Sequence, residues 1–168
     1  MSAGVVIREE APADAIAVRS LIGEAFRGAP YASGTEAAIH DRLRGDGDLV
    51  IGLVADVNGT IVGQIAFSPV TAGGASGWLG LGPVAVTPRR QGRGIGAMLV
   101  REGLARAGAS VARGVVLIGD PGYYARFGFE GGVGLTYGAV PAPYVQALSF
   151  GDPIPTGPLT YAPAFDLA

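Results

Sequence analysis

The chain has 168 residues, 49% hydrophobic and only 15% charged, with 29 glycines, one histidine, no cysteine and a formal net charge of -2. That length and balance suit one compact, loop-rich globular domain with a continuous core, neither disordered nor fibrous. The missing cysteine excludes disulfides, thiolate metal sites and a cysteine nucleophile, and the single histidine, His40, removes every motif that needs two; no metal is expected.

In chain order, "VVIRE" at 5–9 predicts a short first strand. Residues 12–26 predict a helix with Pro12 near its start and Ile16, Leu21, Ile22, Ala25 and Phe26 on one stripe. A second helix is predicted over about 35–44, with Thr35 as cap and Ile39 and Leu43 four apart. Asn58-Gly59 stands between two apolar runs, and both residues tolerate positive φ, so strands near 49–56 and 60–67 are expected to form a hairpin. "GWLGLGPVAV" at 77–86 supplies a further strand, and Pro83 removes a ladder donor, so a bulge or local opening is expected at Gly82-Pro83. A helix over 94–109 should bury Ile95, Leu99 and Leu104 and turn Arg101 and Arg106 to water. "GVVLIG" at 114–119 reads as a buried strand, and "PGYYARFGF" as a helical turn entering another.

From Val133 the chain is rich in proline and glycine, yet Tyr144, Leu148, Phe150, Tyr161 and Phe165 argue that it packs back onto the body. The expectation is one domain over 1–168, with a core at about 5–135 and the segment 136–168 packed against it. No stretch approaches the apolar length of a membrane span, and the N-terminus has no basic segment followed by an apolar run. A cytoplasmic protein with no membrane partner is therefore expected.

The charges are unevenly spread. Residues 1–88 carry 5 arginines against 9 carboxylates, whereas 89–113 carry 6 arginines against Glu102 alone. A local field of this kind suits a small polyanion; it is too short, and lacks the flanking aromatics, for a nucleic-acid partner.

The same segment contains "PRRQGRGIGAM", a glycine-rich turn between the strand and the helix. The first turn of a helix leaves backbone N–H groups without internal acceptors, and its positive end attracts anions. Gly92, Gly94 and Gly96 would let a diphosphate approach the main chain, with Arg89, Arg90 and Arg93 meeting its oxygens from the sides. Those glycines also suit a plain tight turn. A P-loop needs a lysine, and the chain has none; the Gly-x-Gly-x-Gly spacing in mid-chain is not the dinucleotide fingerprint either.

Through Gln91-Gly92-Arg93-Gly94-Ile95-Gly96, which matches Arg/Gln-x-x-Gly-x-Gly/Ala, and through "YYARFGF" at 123–129, the chain resembles the GCN5-related N-acetyltransferases, the GNAT superfamily. The form "LIGDPGYYARFGF" is particularly similar to the YhbS-like branch of predicted acetyltransferases. The resemblance implies an α/β fold, with a central, partly splayed and mostly antiparallel sheet flanked by helices. It implies that the amides of Gln91, Gly92, Arg93, Gly94, Ile95 and Gly96 hold the pyrophosphate of acetyl-CoA. It also implies that the main chain of Val84, Ala85 and Val86 binds the pantetheine arm, with the Val84 N–H near the thioester oxygen. The superfamily often dimerises, so a homodimer is admitted.

Transfer to an amine needs a neutral nucleophile and a proton for the leaving thiolate. With cysteine absent, direct attack on the thioester is the economical route. By the family's Tyr-x-x-x-Gly-Phe spacing Tyr124 is the matching general acid and Tyr123 the weaker candidate; both also suit packing. For a base, Glu24 on the first helix and His40 are candidates, and a solvent-deprotonated amine needs neither. Asp120 reads as ordering the turn that follows it. The family's asparagine after the fifth strand is replaced here by Gly119-Asp120-Pro121-Gly122. The expected function is acyl transfer, most simply acetyl, from acyl-CoA to a primary amine; the alternative is a non-catalytic acyl-CoA-binding regulatory domain. Residues 26–36 and the tail around Tyr144, Phe150 and Tyr161 are the expected walls of the acceptor site.

Overall fold

The computed structural model describes residues 4–29 and 32–168, and among them are nine strands and four α-helices. In chain order they are β1 (Val5–Glu9), α1 (Ala15–Phe26), α2 (Glu36–Asp46), β2 (Ile51–Val57), β3 (Thr60–Ala72), β4 (Ala75–Val86), α3 (Ile95–Gly108), β5 (Gly114–Ile118), α4 (Pro121–Tyr124), β6 (Glu130–Gly131), β7 (Leu135–Thr136), β8 (Val145–Ser149) and β9 (Gly157–Tyr161). The hairpin at Asn58-Gly59 forms with both residues at positive φ, 50° and 88°.

The strands run in the order β1-β2-β3-β4-β5-β8-β6. Every pair along that order is antiparallel except β4 and β5, which run side by side because α3 carries the chain back across one face. β3 is longer than the sequence suggests. It continues through Pro69 to Ala72, five residues past the expected end at Phe67. Pro69 is tolerated because β2 stops opposite Phe67 and β9 starts opposite Val70, so the missing donor falls in the gap between two neighbours.

α3 covers one face of the sheet. Ile95, Leu99, Val100 and Ala107 pack there against Leu53, Ile65, Phe67, Leu79 and Val115. On the opposite face, α1 seats Val18 and Ile22 against Val54 and Ala85, and α2 seats Ile39 and Leu43 against Ala66 and Ala164. The returning tail covers the rest of that face, with Leu135 and Leu159 around Trp78 and Val116.

Two local expectations are corrected. Ile16 is 76% exposed, and the inward stripe of α1 is set by Val18, Leu21 and Ile22. Thr35 occupies the N-cap position of α2 without a side-chain cap bond; Glu36 instead reaches back to the Ser33 and Gly34 N–H groups. The segment after Val133 is built into the sheet, since β8 pairs with all five residues of β5.

Close packing between α3 and the sheet relies on Gly103, where a Cβ would collide with the Phe67 ring. Both partners are deeply buried. Gly103→Ala should therefore destabilise the fold by about 1–3 kcal/mol, read as a lower urea midpoint with an unchanged slope.

Candidate active site

The site begins where two parallel strands part. β4 and β5 pair only from Trp78↔Gly114 to Gly80↔Val116. Beyond that point β4 stays with β3, while β5 stays with β8. The divergence coincides with Gly82-Pro83, a cis peptide, and with a register shift that sets two residues of β4 against one of β3. The opening expected from the proline is thus present as a bulge at the mouth of a V.

The main chain inside the V can be oriented from one hydrogen bond. Thr87 N–H donates to Val62 C=O, and the direction of bonding alternates along an antiparallel strand. Ala85 is therefore turned toward β3, and Val84 and Val86 toward the opening. The Val86 carbonyl accepts from the Gln91 side chain at 3.0 Å. Of the three residues expected to bind a pantetheine arm, two present their main-chain groups to the V.

The V leads into the glycine-rich turn. Pro88–Arg90 form a short 3₁₀ turn, and Gly94 is the N-cap of α3 with φ +85°. Gly92 has φ +76°. Beyond the adjacent residues, no heavy atom of the described chain lies within 4 Å of where a Cβ would sit on either glycine, so the main chain is open to a close ligand. Gly96 is more enclosed, with the Val86 side chain and the Tyr123 hydroxyl at 3.8 and 3.7 Å from its Cβ position. Ile95 is buried and anchors the helix start. The concave turn, its N–H donors and its lack of Cβ atoms fit a diphosphate.

The six arginines of 89–113 divide by role. Arg101 lies over the Phe127 ring, Arg106 pairs with Glu102 and Glu9, and Arg113 pairs with Asp152. Arg89, Arg90 and Arg93 line a cavity of about 790 Å³ between the turn, α1 and the tip of the β2–β3 hairpin. Glu24 belongs to this cavity, where its Oε1 accepts from the Thr87 hydroxyl at 3.0 Å.

Both tyrosines sit on the α3 side of the V. Asp120 caps α4, accepting from the Gly122 N–H at 2.9 Å through its side chain and from the Tyr123 and Tyr124 N–H groups through its carbonyl. The Tyr124 ring packs on Gly119, at the end of β5, and among Phe127 and Phe129. The Tyr123 ring is set edge-on to it, with the hydroxyl over Gly96 and the Arg126 guanidinium over the ring. One tyrosine is thus at the diverging end of β5 and the other at the helix entrance.

The opposite side of the V holds a cavity of about 340 Å³. Leu81, Gly82, Pro83 and Ile118 form its floor, and Phe26, Tyr137, Tyr161 and Phe165 supply aromatic walls. Burial and the neighbouring Tyr137 push the Tyr161 phenol above its ordinary value, so it stays protonated. The carboxylate side chain at this cavity is Glu36. Its Oε2 accepts from Ser33 N–H and Oγ–H and its Oε1 from Gly34 N–H. Burial alone would raise its pKa, but these bonds outweigh it and hold the carboxyl below its usual value.

Of the walls expected from sequence, Phe26 and Tyr161 line the cavity, while Tyr144 and Phe150 are exposed elsewhere. Within the expected stretch 26–36, Ser33 and Glu36 also line it, though Glu36 was not singled out because it looks like an ordinary first-turn helix carboxylate; Pro30 and Tyr31 lie outside the described residues. His40 does not line the cavity. It is buried, with Nε2 2.8 Å from Glu10 Oε1, in a network that Arg44 completes at 3.0 Å from Glu10 Oε2. Among the described residues there is no group of three or more His, Asp or Glu that could hold a metal ion, and no helix is long and apolar enough to cross a membrane.

Comparison with known proteins fits this geometry. The Acetyltransferase (GNAT) domain family matches residues 49–131. An uncharacterized N-acetyltransferase of Escherichia coli strain K12, YhbS, is 41% identical over 128 residues, covering 75% of this chain and 74% of the relative. A GNAT family acetyltransferase from Brucella melitensis, crystallised in complex with acetyl-CoA, superimposes with a TM-score of 0.87 at 47% identity, over 96% of this chain and 98% of that one. The crystal structure of E. coli YhbS in complex with CoA gives a TM-score of 0.85 at 33% identity, over 96% and 92% of the two chains. With the splayed strands, the glycine turn and these relatives all agreeing, the chain belongs to the GNAT family of N-acetyltransferases.

Proposed function

We propose that the protein transfers an acetyl group from acetyl-CoA to a primary amine, by direct attack of the amine nitrogen on the thioester carbon, with Tyr124 supplying the proton that the departing thiolate takes up. The observation that carries this reading is the V itself. The main chains of Val84 and Val86 face into it, the Gly92–Gly96 turn lies at its outer end, and Tyr124 and the 340 Å³ cavity flank it from opposite faces. A donor laid along β4 and an acceptor in the cavity would meet at Gly82-Pro83 without a covalent enzyme intermediate.

Each residue has a distinct task in this reading. The N–H groups at the start of α3 and Arg89, Arg90 and Arg93 bind the pyrophosphate region. The Val84 N–H donates to the carbonyl oxygen, where negative charge develops as the C–N bond forms. As the C–S bond breaks, the Tyr124 hydroxyl gives up its proton. Glu24 is engaged in the arginine-lined cavity, so the reading sends the amine's proton to solvent.

The test combines binding and turnover. Calorimetry should find acetyl-CoA binding, and thiol release should appear when primary amines are added. Gly94→Val forces a β-branched side chain into positive φ, a cost of about 1–3 kcal/mol, and should weaken acetyl-CoA binding roughly ten-fold or more. Binding without thiol release for any amine would leave a non-catalytic acyl-CoA-binding domain.

A further inference from the structure

The cavity opposite Tyr124 carries information about the acceptor. It is small, at the lower end of the size range of small-molecule sites. Among the described residues four aromatic side chains wall it, and two ring pairs are packed closely: Tyr137 with Tyr161 at 5.2 Å and Tyr161 with Phe165 at 4.9 Å between centroids. Aromatic faces favour both apolar bodies and cations. Glu36 adds a single side-chain negative charge at the wall, and three donors from Ser33 and Gly34 fix its orientation.

We propose that this cavity is the acceptor site, and that it takes a compact monoamine with an apolar or aromatic body whose ammonium is held by Glu36. The proposal rests on the acetyl-transfer reading above, because it is the V that makes the cavity an acceptor site. A polyamine or aminoglycoside would bring several cations to a cavity with one acidic side chain among its described lining residues, leaving others against aromatic walls. A lysine side chain of a protein would bring only a methylene stem, leaving most of the wall without contacts.

Glu36 acts in capture, not in proton removal. The donors that lower its basicity keep it anionic near neutrality, which suits binding of a cation and ill suits a base. The bound ammonium then loses a proton to water, and the freed lone pair attacks the thioester carbon. Glu36 is accordingly a specificity residue, expected to govern KM and not kcat.

The experiment uses the full chain with acetyl-CoA and three probes: phenylethylamine, spermidine and an N-blocked lysyl peptide. Thiol release should give phenylethylamine a kcat/KM at least about ten-fold above the other two. Glu36→Gln should raise its KM roughly ten-fold with kcat within about two-fold, as expected for loss of a charge-assisted contact. A second readout does not depend on turnover. Phenylethylamine titrated by calorimetry into CoA-saturated protein should bind, and binding should weaken in Glu36→Gln and in Phe165→Leu, with melting curves confirming that both variants fold. Preference for spermidine or the peptide, or a KM indifferent to Glu36, overturns the acceptor assignment while leaving acetyl transfer standing. Phenylethylamine binding that depends on Glu36, without thiol release from any amine, sinks the transfer reading and keeps the site.

Discussion

Tyr124→Phe lowers kcat for acetyl transfer on the order of 10²–10³-fold and leaves the affinity for acetyl-CoA within about two-fold: that is the result expected from a hydroxyl acting only on the leaving thiolate. The ring stays, so its packing on Gly119, Phe127 and Phe129 is preserved, and melting curves check that the variant folds as the wild type does. Tyr123→Phe is the matched control. Its hydroxyl lies over Gly96 at the helix entrance, so its removal should alter the KM for acetyl-CoA and spare kcat. Steady-state kinetics with calorimetry separates the two. Undiminished turnover in Tyr124→Phe would move the proton donor elsewhere.

Glu10→Gln has the largest expected effect on stability. The Glu10 side chain is 2% exposed, and it is held by His40 at 2.8 Å and Arg44 at 3.0 Å, tying α2 to the chain just after β1. Removing its charge leaves the buried His40 without its carboxylate partner and Arg44 with Asp41 alone, at a cost of about 3 kcal/mol. In a chain of this length that lowers Tm by roughly 6–12 °C. The pH dependence has a definite sign. Burial by itself would raise the Glu10 pKa, but the His40 and Arg44 interactions outweigh it, and the folded value lies below the ordinary one. The unfolded chain therefore binds this proton more readily. The stabilisation is fully present above the ordinary carboxyl value of about 4.3 and is lost as pH falls from there through the lower folded value. Thermal melts from neutral to acidic pH should show the wild type losing more stability than Glu10→Gln across that window. Parallel curves would remove Glu10 from the acid response.

The hairpin, the opened strand and the glycine-rich turn were legible because their signals are local. Asn58-Gly59 is a turn by its own chemistry, Pro83 interrupts a ladder wherever it stands in a strand, and glycines before an apolar helix open its first turn. The cavity on the opposite side was less legible because it is assembled from distant pieces. Nothing near Phe165 says that it will stand beside Tyr161 and across from Glu36. The end of β3 was missed for a related reason: Pro69 argues against a strand until the gap between β2 and β9 is known. Ile16 misled because a helical stripe of apolar residues is a pattern of types: Leu21, Ile22, Ala25 and Phe26 turn inward as expected, but Val18 takes the inward place at the start of the helix and Ile16 is left exposed.

The two halves of the V are encoded in separate stretches of chain. The strands, turn and tyrosines that would handle the donor lie within 78–129, whereas most of the cavity wall comes from 26–39 and 137–168. Substitutions in the two flanking stretches can reshape the cavity without touching the turn at Gly92–Gly96. With the acceptor site proposed above, a lineage built this way could exchange one acceptor for another by drift in those two stretches while its donor stays constant, so close kin that share the central motif need not share a substrate.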